Sequence, residues 1–275
     1  KAQKWIVIDG LQRISTIVKF LQGGDWKLSQ LDDIEPEIAG KSVAAIKTSA
    51  ASLHQYYTRV ENLSVPVTVL RCDFKKKTHM EYLFTIFHRL NTGGMKLNNQ
   101  EIRNCIYGGP FNNLLKELDQ HPPWRRLNKM RAGQMYRFTK QEIMLRFFAF
   151  MEWRKSYEGY LAKFLNDYMH EKQYASDSSI EEKRCLFIDT IKLVADGIFE
   201  GKTPPKLSLT VLEALLVGVG ANLPKIKNVP AAKLTLPYNE LIAHQEFSEG
   251  ALREGLSKKQ RVIERLNTAI KIFAP

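Results

Sequence analysis

The chain contains no run of 18 consecutive apolar residues, and its greasiest segment, LTVLEALLVGVGANL at 209–223, is interrupted by Glu213. A membrane span is therefore not expected, and no membrane is expected among its partners. Cysteine is scarce: Cys72, Cys105 and Cys185 stand far apart with no C-x-x-C spacing. Such an odd, scattered set argues against a disulfide framework or a zinc site and reads as reduced thiols in the cytoplasm. There is no charged-then-apolar leader, no internal repeat and no low-complexity tract, which argues against secretion and against a solenoid. The first residue is Lys1 rather than methionine, a few positions ahead of a strand-like run. A segment preceding it is expected.

What the chain has in excess is positive charge, 41 Lys and Arg against 29 Asp and Glu, a net +12 over 275 residues. That balance biases encounter toward nucleic acid, nucleotides or acidic partners without choosing among them. The excess is uneven: WRRLNKMRAGQMYRFTK at 124–140 holds six basic side chains, no acidic one, and Trp124, Tyr136 and Phe138. Two readings stay open for it. Arg125, Arg126, Lys129, Arg131 and Arg137 either contact nucleic-acid phosphates or line a solvated basic loop.

Periodicity sets out the elements. WIVI at 5–8 reads as a strand, followed by a helix ending near Gly23. The stretch to about residue 62 is weakly periodic helix and loop. LSVPVTVL at 63–70 alternates Val65, Val67 and Val69 with Ser64, Pro66 and Thr68, a second strand that Pro66 places near an edge. Met80, Leu83, Phe84, Phe87 and Leu90 share one helical face, and NTGG at 91–94 ends that helix. Asn98 with Glu101 caps the next, which stops at Gly108-Gly109-Pro110.

The remainder is helical. Pro122-Pro123 marks a turn, and Thr139 with Glu142, Ser179 with Glu182 and Ser257 with Gln260 have the spacing of capping boxes. They introduce amphipathic runs at 140–153, 180–199 and 258–273, with another at 209–221. Strands in the first hundred residues and helices thereafter predict an α+β fold, divided into domains 1–110 and 111–275.

The opening stretch, WIVIDGLQRISTIVKFL at 5–21, concentrates the chemistry. As plain structure, Asp9 is an N-cap, Gln12 its capping-box partner, and Ile14, Ile17, Val18 and Leu21 a buried face. Arg13 is not explained by that reading, because a cation near a helix N-terminus opposes the macrodipole. A strand running through a glycine turn into a helix N-terminus is also a phosphate site, and Arg13 fits an anion there. Asp9 would repel that anion unless Mg²⁺ bridges the two or a second arginine neutralises the cluster.

A second cluster, FHRLNTGGMKLNNQEIRN at 87–104, gathers Arg89, Asn91, Thr92, Gly93, Gly94, Glu101, Arg103 and Asn104. A glycine C-cap followed by a capped helix accounts for Gly93, Asn98 and Glu101, and leaves the other polar side chains without a role.

IDGLQR before an apolar helix, followed far downstream by FHRLNTGGMKLNNQEIRN, resembles the GmrSD restriction-endonuclease N-terminal domain family. Its hallmarks are D-G-Q-Q-R after a strand and then F-x-R-x-N-x-G-G-x-x-L-x-x-x-E-I-R. The ending SEGALREGLSKKQRVIERLNTAIKIF also resembles the closing helices of stand-alone members, so the likeness covers nearly the whole chain.

The resemblance implies a ParB/sulfiredoxin-like N-terminal part followed by a predominantly helical part. It implies a nucleotide-binding, Mg²⁺-dependent nucleoside-triphosphate-hydrolysing module of bacterial anti-phage defence that acts with DNA. By position, Asp9, Gln12 and Arg13 would be catalytic, with Asp9 also toward the metal. Gly10, Arg89, Asn91, Thr92, Gly93, Gly94, Glu101 and Arg103 would bind nucleotide. Two departures bear on this: Leu11 replaces the motif's first glutamine, and the family's earlier strand and helix are not in this sequence. The His-Asn-His nuclease often joined to the family is not seen, since His54, His79, His88, His121, His170 and His244 form no such set. Cleavage would then come from a partner nuclease, with self-association a further possibility. The alternative is a non-catalytic DNA- or nucleotide-binding module that scaffolds that partner.

Overall fold

The structure is a computed structural model that describes residues 5–49, 51–90, 97–130, 137–248, 250–251 and 255–275. Two compact units, 1–72 and 73–275, divide the chain. The first holds α1 (Leu11–Gln22), α2 (Val43–Thr48) and α3 (Ala51–Glu61). The second holds α4 (Lys77–Leu90), α5 (Asn99–Ile106), α6 (Pro110–Leu118), α7 (Pro122–Leu127), α8 (Thr139–Trp153), α9 (Leu161–Lys172), α10 (Asp177–Lys192), α11 (Leu209–Ile226), α12 (Ala231–Ala243) and α13 (Lys259–Ile272).

Among the described residues there is no sheet, and an isolated antiparallel bridge joins Lys27 to Ser42. The expected α+β fold with a ParB/sulfiredoxin-like part is thereby overturned: the described architecture is all-α. The reason lies in pairing. WIVI and LSVPVTVL have strand composition, but neither has a described neighbour to complete a ladder. Trp5, Ile6, Val65, Val67 and Val69 accordingly stand exposed, Val67 at 74%.

In the first unit Phe20, Val43, Ile46 and Tyr57 form the core, with Leu21, Trp26, Leu28 and Ile38 packed on it. The Phe20 and Tyr57 rings stack at 5.7 Å, and the Tyr57 hydroxyl donates to the Leu21 carbonyl at 2.9 Å. α1 therefore faces inward through Phe20, with Ile17 and Leu21 half-buried, while Ile14 and Val18 of the expected buried face are exposed. It ends where the sequence places its end, at Gly23 with φ 81°.

In the second unit α11 is the central helix, packed against α8, α10 and α13. By length and composition it could cross a membrane, yet 72% of it is buried inside the unit. Gly218 and Gly220 let its neighbours approach: a Cβ on Gly218 would lie 2.8 Å from the Ala269 carbonyl, and one on Gly220 2.7 Å from the Phe147 ring. Asn222 ties α11 to α13 by donating to the Ile270 carbonyl at 2.9 Å. Phe147, Phe148, Phe187, Trp124 and Phe111 fill the space beside it in edge-on contacts. α10 continues as a π-helical turn, Leu193–Ile198, in which the Phe199 N–H donates to the Val194 carbonyl.

Of the four capping boxes read downstream of α1, that of Asn98 and Glu101 is present in full. The other three are not. Phe138, in a left-handed conformation, precedes α8; Ser176, three residues early, caps α10; and Lys258 precedes α13. Pro122-Pro123 starts α7 rather than a turn, because proline fits the first helical positions where no N–H is needed.

Candidate functional site

The D-G-L-Q-R turn opens α1, but its geometry differs from the expected cap. Gly10, not Asp9, is the N-cap, at φ 87° and ψ 10°, and no side chain caps the helix. Glycine reaches this left-handed conformation without the Cβ clash that other residues meet. The turn swings Asp9 back over the helix start, where its Oδ2 accepts from Arg13 Nη2 at 2.6 Å. The Arg13 guanidinium also lies over Gly10, within van der Waals reach of where a Cβ would sit. Asp9 and Arg13 are thus an exposed pair one turn apart, with Gln12 and Leu11 exposed beside them and Leu11 at 64%. Arg13, unexplained by a cap, is explained here by Asp9.

The first-turn N–H groups of α1 are left without a side-chain acceptor. With Arg13 beside them, they make an open, anion-accepting surface. Among the described residues no group of three or more His, Cys, Asp and Glu could hold a metal. Asp9 is the one carboxylate of this turn, with Oδ2 engaged by Arg13. This is not a protein-built metal cage, and Asp9 is the one side chain of the turn that could touch a metal ion.

The second motif divides. Asn91, Thr92, Gly93 and Gly94 lie outside the described residues, and Arg89 is exposed at the end of α4. Glu101 and Arg103 are committed to the fold. Glu101 accepts from the Asn98 N–H at 2.7 Å and receives Arg137 through Nε at 3.0 Å and Nη2 at 2.6 Å. Burial pushes the Glu101 carboxyl up, but Arg137 and the Asn98 N–H hold it below its ordinary value.

Arg103 is 1% exposed. Its Nε donates to Asn166 Oδ1 at 2.8 Å, and its Nη1 to Gln100 Oε1 at 3.1 Å and Glu142 Oε2 at 2.9 Å. Glu142 also accepts from Arg146, which reaches on to Glu213 at 3.4 Å. The result is a buried chain of alternating charges through α5, α8 and α11. Composition gave no signal for it; the i, i+4 pair Glu142 and Arg146 on an apolar helix was the one available cue.

The basic segment is likewise mixed. Trp124 is fully buried and its Nε1 donates to Asp119 Oδ1 at 3.3 Å, so it is core and not a stacking surface. Arg126 pairs with Asp196 of the π turn, and Arg137 with Glu101. Arg125 donates to Gln120 Oε1 at 3.4 Å, Lys129 is exposed, and Arg131 lies outside the described residues.

Residues 1–108 match the family model described as GmrSD restriction endonuclease, N-terminal domain. This opening segment is similar to the GmrSD N-terminal domain. The GmrSD segment takes in the first unit and α4–α5 of the second, including both the Asp9–Arg13 turn and the α5 motif. The match of this segment suggests a component of a restriction-like defence system. No curated protein and no solved structure gives a match.

Proposed function

We propose that the chain is a nucleotide-binding, DNA-directed module of a restriction-like system, with nucleoside-triphosphate phosphates held at the Asp9–Arg13 turn. The observation that carries this is the left-handed Gly10 turn, which leaves the first N–H groups of α1 uncapped beside an exposed arginine. Phosphoryl transfer asks mainly for positioning and charge neutralisation, and backbone N–H groups with Arg13 offer both. A magnesium ion bound with the nucleotide through Asp9 would neutralise phosphate charge. As phosphate arrives, Arg13 can turn from Asp9 toward it, freeing the carboxylate.

A second reading, binding without turnover, is favoured by Leu11. An exposed apolar side chain occupies the motif position where an amide could orient water or phosphate. DNA cleavage is assigned to a partner nuclease in either case.

The test is nucleotide binding and phosphate release by the 275-residue chain, with and without DNA and Mg²⁺. Asp9→Ala and Arg13→Ala should abolish both, and Leu11→Gln should raise release. Binding and release unchanged in the first two variants would overturn the assignment. Binding without release, in wild type and in the Leu11→Gln variant alike, selects the non-catalytic reading.

A further inference from the structure

Residues 63–73 run between α3 and α4 with no turn, bend or bridge, and from Ser64 to Leu70 their backbone makes no hydrogen bond among the described residues. Leu63, Val65, Val67 and Val69 are each more than half exposed. A row of unpaired N–H and C=O groups beside bare apolar side chains is a template for another strand.

The stretch also indicates which strand. LSVPVTV reads nearly the same in reverse about Pro66: Val65 answers Val67, Ser64 answers Thr68, and Leu63 answers Val69. Laid antiparallel on a second copy with Pro66 opposite Pro66, each side chain meets its own kind. A closed two-fold contact requires that self-complementarity. Aliphatic pairs and a Ser–Thr pair are favourable cross-strand neighbours.

Parity then fixes the edge. Successive residues of a strand turn their N–H and C=O to opposite sides, so Leu63, Val65, Val67 and Val69 face one edge and Ser64, Pro66 and Thr68 the other. Pro66 has no N–H to give. The ladder therefore runs along the odd-numbered residues: Val65 exchanges both bonds with Val67 of the second copy, and Pro66 faces its own copy in a non-hydrogen-bonded pair. The outer edge lacks a donor at its middle, which blocks a third strand and closes the assembly at two copies.

We propose that residues 63–69 form a two-fold antiparallel ribbon between two copies of this chain. One face of the ribbon carries Leu63, Val65, Val67 and Val69, the other Ser64, Pro66 and Thr68. A two-stranded ribbon is marginal by itself, and a stable dimer covers about 800 Å² on each partner. Trp5, Ile14 and Val18 of the same unit are exposed as well, and together with the apolar face of the ribbon they offer a surface of that order. The pairing does not depend on the nucleotide reading.

Sedimentation equilibrium of the 275-residue chain should show a concentration-dependent dimer. Val67→Pro deletes a ladder N–H on each copy and should raise the dissociation constant about tenfold or more. Thr68→Pro deletes an N–H on the outer edge and should leave that constant within about threefold. With Cys72→Ser, Cys105→Ser and Cys185→Ser as background, Pro66→Cys should form a disulfide-linked dimer in air, since opposed Cα atoms of a non-hydrogen-bonded pair lie about 4.5 Å apart. Val69→Cys, which faces Leu63, should not. A monomer at every concentration would overturn the proposal and leave this edge to a strand of a different chain. A dimer that survives Val67→Pro, or that both prolines weaken alike, would overturn it too. Val67 and Thr68 are exposed and make no backbone hydrogen bond within the chain, so melting temperatures of dilute samples should match wild type and separate lost pairing from lost fold.

Discussion

Arg103 and Glu142 meet at 2.9 Å, joining the last turn of the GmrSD segment to a helix outside it. The guanidinium is almost wholly buried, and its three described acceptors come from α5, α8 and α9. A motif position that resemblance assigns to nucleotide binding is thus built into the helical core.

Glu142→Gln should destabilise the protein by about 3–5 kcal/mol, because it leaves a buried Arg103 without its counter-charge. Urea unfolding of wild type and variant measures it. A loss under about 1 kcal/mol would mean that the amides Asn166 and Gln100 suffice for Arg103.

The same carboxylate sets an acid limit. Burial pushes Glu142 up, but Arg146 and Arg103 hold it below its ordinary 4.5 in the folded protein. Its contribution is therefore complete above the unfolded-chain value and is lost as pH falls through the lower folded one. Unfolding midpoints of wild type should drop across that acidic window, and the drop should be smaller in Glu142→Gln.

Gly218→Ala and Gly220→Ala should each destabilise by about 1–3 kcal/mol, despite alanine's higher helix propensity. The added methyl groups would stand 2.8 Å from the Ala269 carbonyl and 2.7 Å from the Phe147 ring. Thermal melts read the sign directly. A rise in melting temperature would show that α13 and Phe147 can withdraw.

Asp9→Ala and Arg13→Ala should behave in the opposite way. The pair is solvent-exposed, so its loss should change stability by less than about 1 kcal/mol. Nucleotide binding should nevertheless disappear. A large loss of stability would place the pair in the fold and not in a site.

Asn98→Ala removes the complete capping box of α5 and the bond from Asn98 Nδ2 to the Arg137 carbonyl at 2.6 Å. A loss of about 1–2 kcal/mol is expected in equilibrium unfolding.

Local chemistry was legible in the sequence wherever a single helix decides it. The Asn98 cap and the end of α1 at Gly23 follow from end signals, and the buried Met80, Leu83 and Phe87 and the extent of α8 and α13 from periodicity. What pairing decides was not legible. Val65, Val67 and Val69 alternate as a strand does, but alternation does not say whether a partner is at hand. Asp9 could cap or pair, and the left-handed Gly10 turn chose pairing. Arg103 reads as a ligand residue because burial depends on helices that lie far along the chain.

The π turn at the end of α10 is a phase shifter. Its wider ring holds one residue more than an α-helical turn would, and the surplus sets the angular position of everything after it. Removing one residue between Leu193 and Ile198 would return the turn to α geometry and rotate the downstream side chains by about 100°. Asp196 would leave Arg126, and α7 would lose its charged tie to α10. The register of the Arg126–Asp196 tie is therefore stored in the length of a six-residue stretch.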